Sequence, residues 1–145
     1  MKIRHEELLG LGNFLMELKL NGKESRMRTR LVKRMQTHLD LVQTEKDEII
    51  QNYGVLDENG NLKTKQENGK EYYEIEDREA CEKEILELLQ EEMVIEENEE
   101  NKEMLLVVKE AVLNCDMVFQ GQQAFEYDGY CELFENLTYD KELAK

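Results

Sequence analysis

Residues 25–53 read SRMRTRLVKRMQTHLDLVQTEKDEIIQNY, and the spacing predicts a single helix of about eight turns. Met27, Leu31, Met35, Leu39, Val42, Ile49 and Tyr53 trace one apolar stripe, which Leu41 and Ile50 widen. Asn21-Gly22 signals a turn before it, and Ser25 is the expected N-cap because its hydroxyl can accept a free backbone N–H. Gly54 is the expected stop, through the left-handed conformation that glycine tolerates. The charge changes sign along the stretch, from Arg26, Arg28, Arg30, Lys33 and Arg34 to Glu45, Asp47 and Glu48. Cations at the N-terminus and acids at the C-terminus both oppose the helix dipole. A local rule broken at both ends points to use of these charges by a partner or by another segment of the chain.

The rest of the chain is acidic. Residues 1–34 hold nine basic and four acidic groups, whereas residues 71–103 hold three basic and fifteen acidic, within a total net charge of −15. That excess opposes non-specific attraction to nucleic acid or anionic membrane, so direct nucleic-acid binding is disfavoured. At 145 residues and 40% hydrophobic content, one domain with a real core is expected over 1–138, followed by a frayed tail over 139–145. The absence of proline suits a helix-rich chain. Cys81, Cys115 and Cys131 are odd in number, widely spaced and set in apolar stretches, which predicts buried thiols in a reducing compartment. In the first twenty residues Glu6, Glu7 and Glu17 interrupt the apolar run, so no signal peptide or span is expected.

Outward from the long helix, Leu8, Leu11, Leu15 and Leu18 predict a first helix over 6–19. Gly10 and Gly12 inside it suggest close packing against a neighbour or an irregular first turn, and 1–4 can form an extended lead-in. Glu67-Asn68-Gly69-Lys70 predicts a β-hairpin, with Met93–Glu96 as its expected third strand. Asp77 and Asn98 are expected to cap helices over 78–91 and 99–116, and a last helix follows Gly121 over 122–137. The fold class is therefore α+β and mostly helical: about five helices around one long central helix, with a small antiparallel hairpin or three-stranded sheet.

The motifs give no catalytic constellation. Asp57, Asn59 and Asn61 suggest a calcium loop, but Leu62 falls where that loop needs glycine and Asn68 where it needs glutamate, so a polar turn is expected. Glu45/Glu48 and Glu74/Asp77 loosely echo the acidic pairs of helical nucleotide pyrophosphatases, a disfavoured alternative in a chain with 34 acids. His5 and His38 have no glutamate three positions before them, and the cysteines lack zinc spacing, so no metal or other cofactor is expected. The feature that departs most from chance is the basic cluster Lys19, Lys23, Arg26, Arg28, Arg30, Lys33 and Arg34. Within it Lys23, Arg26, Arg30, Lys33 and Arg34 are candidate partner-binding residues, with internal neutralisation of the acidic segment as the competing role. Glu84, Glu87, Glu91, Glu96, Glu97, Glu99 and Glu100 are a candidate phosphate-mimicking surface.

The strings LKLNGKESRMRTRLVKRM, DENGN, VIEENEENKEML, LNCDMVFQGQQAFEYD and CELFE resemble a small family encoded by phages and prophages of low-GC Gram-positive bacteria, carried as a domain of unknown function. The resemblance covers about residues 1–137. It implies a phage product, in the cytoplasm of the infected host or in the virion. The expected function is non-enzymatic protein–protein binding, as an assembly factor or an inhibitor of a host or anti-phage defence protein. The alternatives are a structural or accessory tail component and, less favoured, a Mg²⁺-dependent nucleotide pyrophosphohydrolase. Homo-oligomers are compatible with the apolar stripe.

Overall fold

The computed structural model describes residues 1–139. The elements run β1 (Lys2–Arg4), α1 (His5–Glu17), α2 (Gly22–Tyr53), β2 (Thr64–Glu67), β3 (Lys70–Tyr73), α3 (Arg78–Gln90), β4 (Glu92–Val94), α4 (Glu99–Leu113) and α5 (Gln122–Glu135). The chain is α+β and mostly helical, with α2 its longest element and two separate two-stranded antiparallel sheets. Where the sequence reads as one domain over 1–138, contacts group the chain into two compact units. One is Met1–Leu39 with the stretch from Glu92 on; the other is Asp40–Glu91. Helix α2 supplies residues to both.

The first unit holds the larger core. The predicted stripe of α1 is buried at Leu8, Leu11, Leu15 and Leu18, and that of α2 at Met27, Leu31 and Met35. Helix α4 adds Met104, Leu105, Val108 and Val112, and Cys131, Phe134 and Leu137 close the cluster. Gly10 does mark a close approach: a Cβ there would lie 2.8 Å from the Tyr130 hydroxyl. The extended lead-in expected over 1–4 is a strand at Lys2–Arg4. Met1, Ile3 and His5 are buried while Lys2 and Arg4 are exposed, the period of two expected of a half-buried strand. β1 pairs with β4 in the register Lys2↔Val94, Ile3↔Met93 and Arg4↔Glu92. The stretch 93–96 is therefore not the third strand of the hairpin; its partner is the N-terminal strand, some ninety residues away. Asn98 caps α4 as expected, its Oδ1 accepting from the Asn101 N–H at 2.9 Å. Of the tail expected to fray, Tyr139 is buried and donates from its hydroxyl to the Asn98 carbonyl at 2.6 Å. Residues 140–145 lie outside the described residues.

In the second unit β2 and β3 pair as Glu67↔Lys70 through Thr64↔Tyr73, around Asn68 (φ 55°) and Gly69 (φ 79°). Two consecutive positive φ values make the turn whose twist matches its strands. The third extended segment is 54–56, which follows α2 directly. Val55 donates to the Glu74 carbonyl (2.9 Å) and accepts from the Lys63 N–H (2.8 Å). Gly54 stops α2 for a different reason from the one expected. It is not among the residues of positive φ; it sits in a bridge with Ile75, and a Cβ there would collide with Leu62 Cδ2. The residues 57–61 form the polar turn, Asp57 Oδ1 accepting from the Asn59 and Asn61 N–H groups at 2.8 and 3.0 Å. Asp77 caps α3 through the Ala80 N–H (3.1 Å). Val42, Cys81 and Leu88 are buried, whereas Leu41, expected to widen the stripe, is exposed.

Candidate partner-binding surface

Helix α2 begins at Gly22, three residues before the expected cap, so Ser25 lies inside its first turn. The Ser25 hydroxyl faces Arg28 instead, whose Nη2 lies 3.3 Å away. Arg28 is buried, and its Nη1 donates to the carbonyls of Leu15 and Leu18 at 2.8 Å each. These are carbonyls at the end of α1, which carries no basic residue in its own last turn. A helix end needs donors for its last carbonyls and favours a cation there. Arg28 supplies both from the neighbouring helix. The cations that violate α2's own dipole are thus partly explained by the needs of α1.

The other members of the basic cluster divide in the same way. Arg34 donates from Nη1 to Asn101 Oδ1 at 2.8 Å. Asn101 is buried, and its Nδ2 donates in turn to the Glu96 carbonyl at 2.8 Å. Arg34 therefore ties α2 to the start of α4. Lys23 pairs with Glu103 of α4. The hydrogen bond and charge of Lys23 hold the Glu103 carboxyl below its usual range, and Arg30 and Arg26 add to the effect. Lys23 is thus the direct partner of this exposed carboxylate, and an exposed pair of this kind contributes little to stability. Arg26, Arg30 and Lys33 are exposed. Lys23, Arg26 and Arg30 follow i, i+3, i+7 spacing, which places them along one side of α2.

The candidate acidic surface is split between the units. Glu84, Glu87 and Glu91 belong to the second, where Glu84 accepts from the Tyr53 hydroxyl at 2.8 Å. Glu96, Glu97, Glu99 and Glu100 belong to the first. Glu97 is a structural group: its carboxylate accepts from the Thr138 N–H (2.6 Å) and the Met1 ammonium (3.0 Å). Burial pushes its carboxyl up, but those bonds and the ammonium charge outweigh burial and leave it below the usual range. Glu99 and Glu100 occupy the first turn of α4, where the dipole favours negative charge, so fold energetics alone explain them.

One feature of the first unit was not singled out from the sequence. A groove of about 1230 Å³ runs between the α1–α2 junction and the second half of α4 with the segment after it. Leu20, Leu106, Val107, Ala111 and Met117 line it as half-buried apolar groups. Lys19, Lys23, Glu17, Glu24 and Glu110 line it as exposed charges. Its signal in the sequence is the run MLLVV over 104–108, which is wider than one core stripe needs. Met104, Leu105 and Val108 fill the core, and Leu106 and Val107 are the surplus.

Among the described residues no group of three or more His, Cys, Asp or Glu side chains converges on one point. Asp77 of the Glu74/Asp77 pair is engaged in capping α3. The buried thiols of Cys81 and Cys131 are pushed up by burial, away from thiolate chemistry. No described helix is long and apolar enough to cross a membrane. No family model, curated protein or solved structure matches the chain.

Proposed function

We propose that this is a non-enzymatic phage protein that works by binding another protein, as an assembly factor or as an inhibitor of a host or anti-phage defence protein, in the cytoplasm of the infected bacterium. The phage setting rests on the resemblance of its sequence strings. The observation that carries the binding reading is the 1230 Å³ groove, apolar at half-buried side chains and flanked at Lys23 by the cationic side of α2. A groove of this character suits an apolar segment of a partner, and Arg26, Arg30 and Lys33 suit acidic groups beside it. Arg28 is buried at the end of α1, and the exposed Arg34 also donates to Asn101 of α4, so the test is directed at Arg26, Arg30 and Lys33.

The test is affinity capture from infected cells, followed by rebinding of the purified partner. The triple variant Arg26→Glu, Arg30→Glu, Lys33→Glu is expected to melt like the wild type and to lose the partner. Undiminished rebinding by a folded triple variant would remove the cationic side of α2 from the interface.

A further inference from the structure

β1 and β4 form a sheet of two strands, and their pairing leaves the outer edge of β4 open. Met1 and Ile95 exchange both backbone hydrogen bonds, at 2.9 Å each. In an antiparallel ladder such pairs alternate with pairs that exchange none. Lys2↔Val94 is therefore a pair without bonds, and the N–H and C=O groups of Val94 point away from β1. Among the described residues neither group makes a hydrogen bond. The next outward carbonyl, that of Glu96, is taken by Asn101 Nδ2 at 2.8 Å. A cavity of about 380 Å³ opens at this edge, with Met93, Val94, Ile95 and Glu96 of the strand, Arg34 and Asn101 among its lining. The Val94 side chain is 60% exposed.

Charge decides what suits this edge. Glu92, Val94 and Glu96 alternate onto the exposed face, while Met93 and Ile95 are buried. A second copy paired antiparallel about Val94 sets Glu92 opposite Glu96 at both ends, and like charges directly opposite are unfavourable. The edge is thus guarded against its own copy. It suits a strand that carries cations at those two places. We propose that the outer edge of β4 takes an extended basic segment of a partner protein as a third strand, with an apolar residue beside Val94 and Lys or Arg two positions to either side. In antiparallel pairing about Val94 both cations then stand opposite Glu92 and Glu96 on one face. Arg4, across the sheet from Glu92, is bonded to Glu6 and Glu7 instead. Glu96 accepts from Asn98 and is tied through Asn101 to Arg34, so Glu92 gives the stronger selection. This edge shares no lining residue with the groove beside α4.

The probe is the end-capped peptide Thr-Lys-Thr-Val-Thr-Lys-Thr, titrated against the full chain, isotopically labelled, at low salt. The Val94 amide resonance is expected to shift and its exchange with solvent to slow. N-methylation of the peptide valine removes a ladder bond and is expected to weaken binding about tenfold. Glutamates in place of both lysines are expected to abolish binding. These comparisons are read on the wild type and need no variant. Glu92→Lys, at an exposed position, is expected to weaken the lysine peptide by about threefold to tenfold. A silent Val94 amide, equal binding of the N-methylated or the glutamate peptide, or unchanged affinity in a folded Glu92→Lys protein would overturn the proposal. Protection of Val94 that rises with protein concentration alone would assign the edge to a second copy and overturn it as well.

Discussion

The two compact units are built by different means. In the first, Ile3, Leu8, Leu11, Leu15, Leu31, Leu105, Val112 and Phe134 are wholly buried, and side chains among them reach specific polar partners: Arg28 reaches two carbonyls through Nη1, although its buried Nε has no hydrogen-bond partner among the described residues, and Asn101 pairs with Arg34 and the Glu96 carbonyl. In the second, every residue of β2 and β3 is exposed, and the sheet depends on backbone pairing and two turns. The difference shows where each unit is vulnerable. The first depends on side-chain complementarity, so truncation of one side chain should damage it. The second depends on backbone geometry, so the damaging changes are those that alter the backbone's room to move.

The largest expected effect breaks the first half of that comparison. Arg28→Met removes the donor to Leu15 and Leu18; the Leu15 carbonyl keeps only the Leu18 N–H at 3.3 Å and the Leu18 carbonyl loses its donor, at a cost of about 2–3 kcal/mol. Arg26→Met, on the exposed side of the same helix, should stay within about 0.5 kcal/mol of the wild type. Chemical denaturation of the pair measures both. Equal effects would mean that Arg28 is not the cap of α1.

A backbone change comes next. Gly54→Ala places a methyl against Leu62 Cδ2 and 2.9 Å from the Ile50 carbonyl, which accepts Gly54's own N–H. The cost is about 1–3 kcal/mol, as for other overpacked sites. Amide exchange should report the loss in 54–76 while 1–39 stays protected.

The smallest effect is a dependence on pH. The Glu97 carboxyl lies below its usual range in the folded chain. Its contribution is therefore complete above the unfolded value of about 4.3 and is lost as pH falls through the lower folded value. Glu97→Gln should be less stable than the wild type near neutrality, and the gap should close in acid. A gap that widens on acidification would contradict the depressed carboxyl.

What could be read from the sequence follows the same division. The α1 stripe, the extent of α2, the Asn68-Gly69 hairpin and the Asp77 and Asn98 caps are local patterns, and local patterns carry their own physical cause. The pairing of β1 with β4 was not legible, because nothing in KIR or EMV names a partner some ninety residues away. Arg28 as a cap was hidden for the same reason: its acceptors lie on another helix. Ser25 misled because it fits a common terminus rule yet lies inside the first turn of α2, whereas Gly54 ends α2 as expected but without the left-handed conformation. Of the candidate surface, Lys23 and the exposed Arg26, Arg30 and Lys33 were visible as a cluster. The groove was present only as the excess width of MLLVV.

Hydrogen exchange of the protein with and without its captured, purified partner most directly tests whether the first unit's groove is the binding surface. Protection is predicted in 17–24 and 106–117, together with the cationic side of α2 at 26–33, and not in the hairpin at 64–73. Protection confined to the hairpin, with the groove segments unchanged, would contradict it.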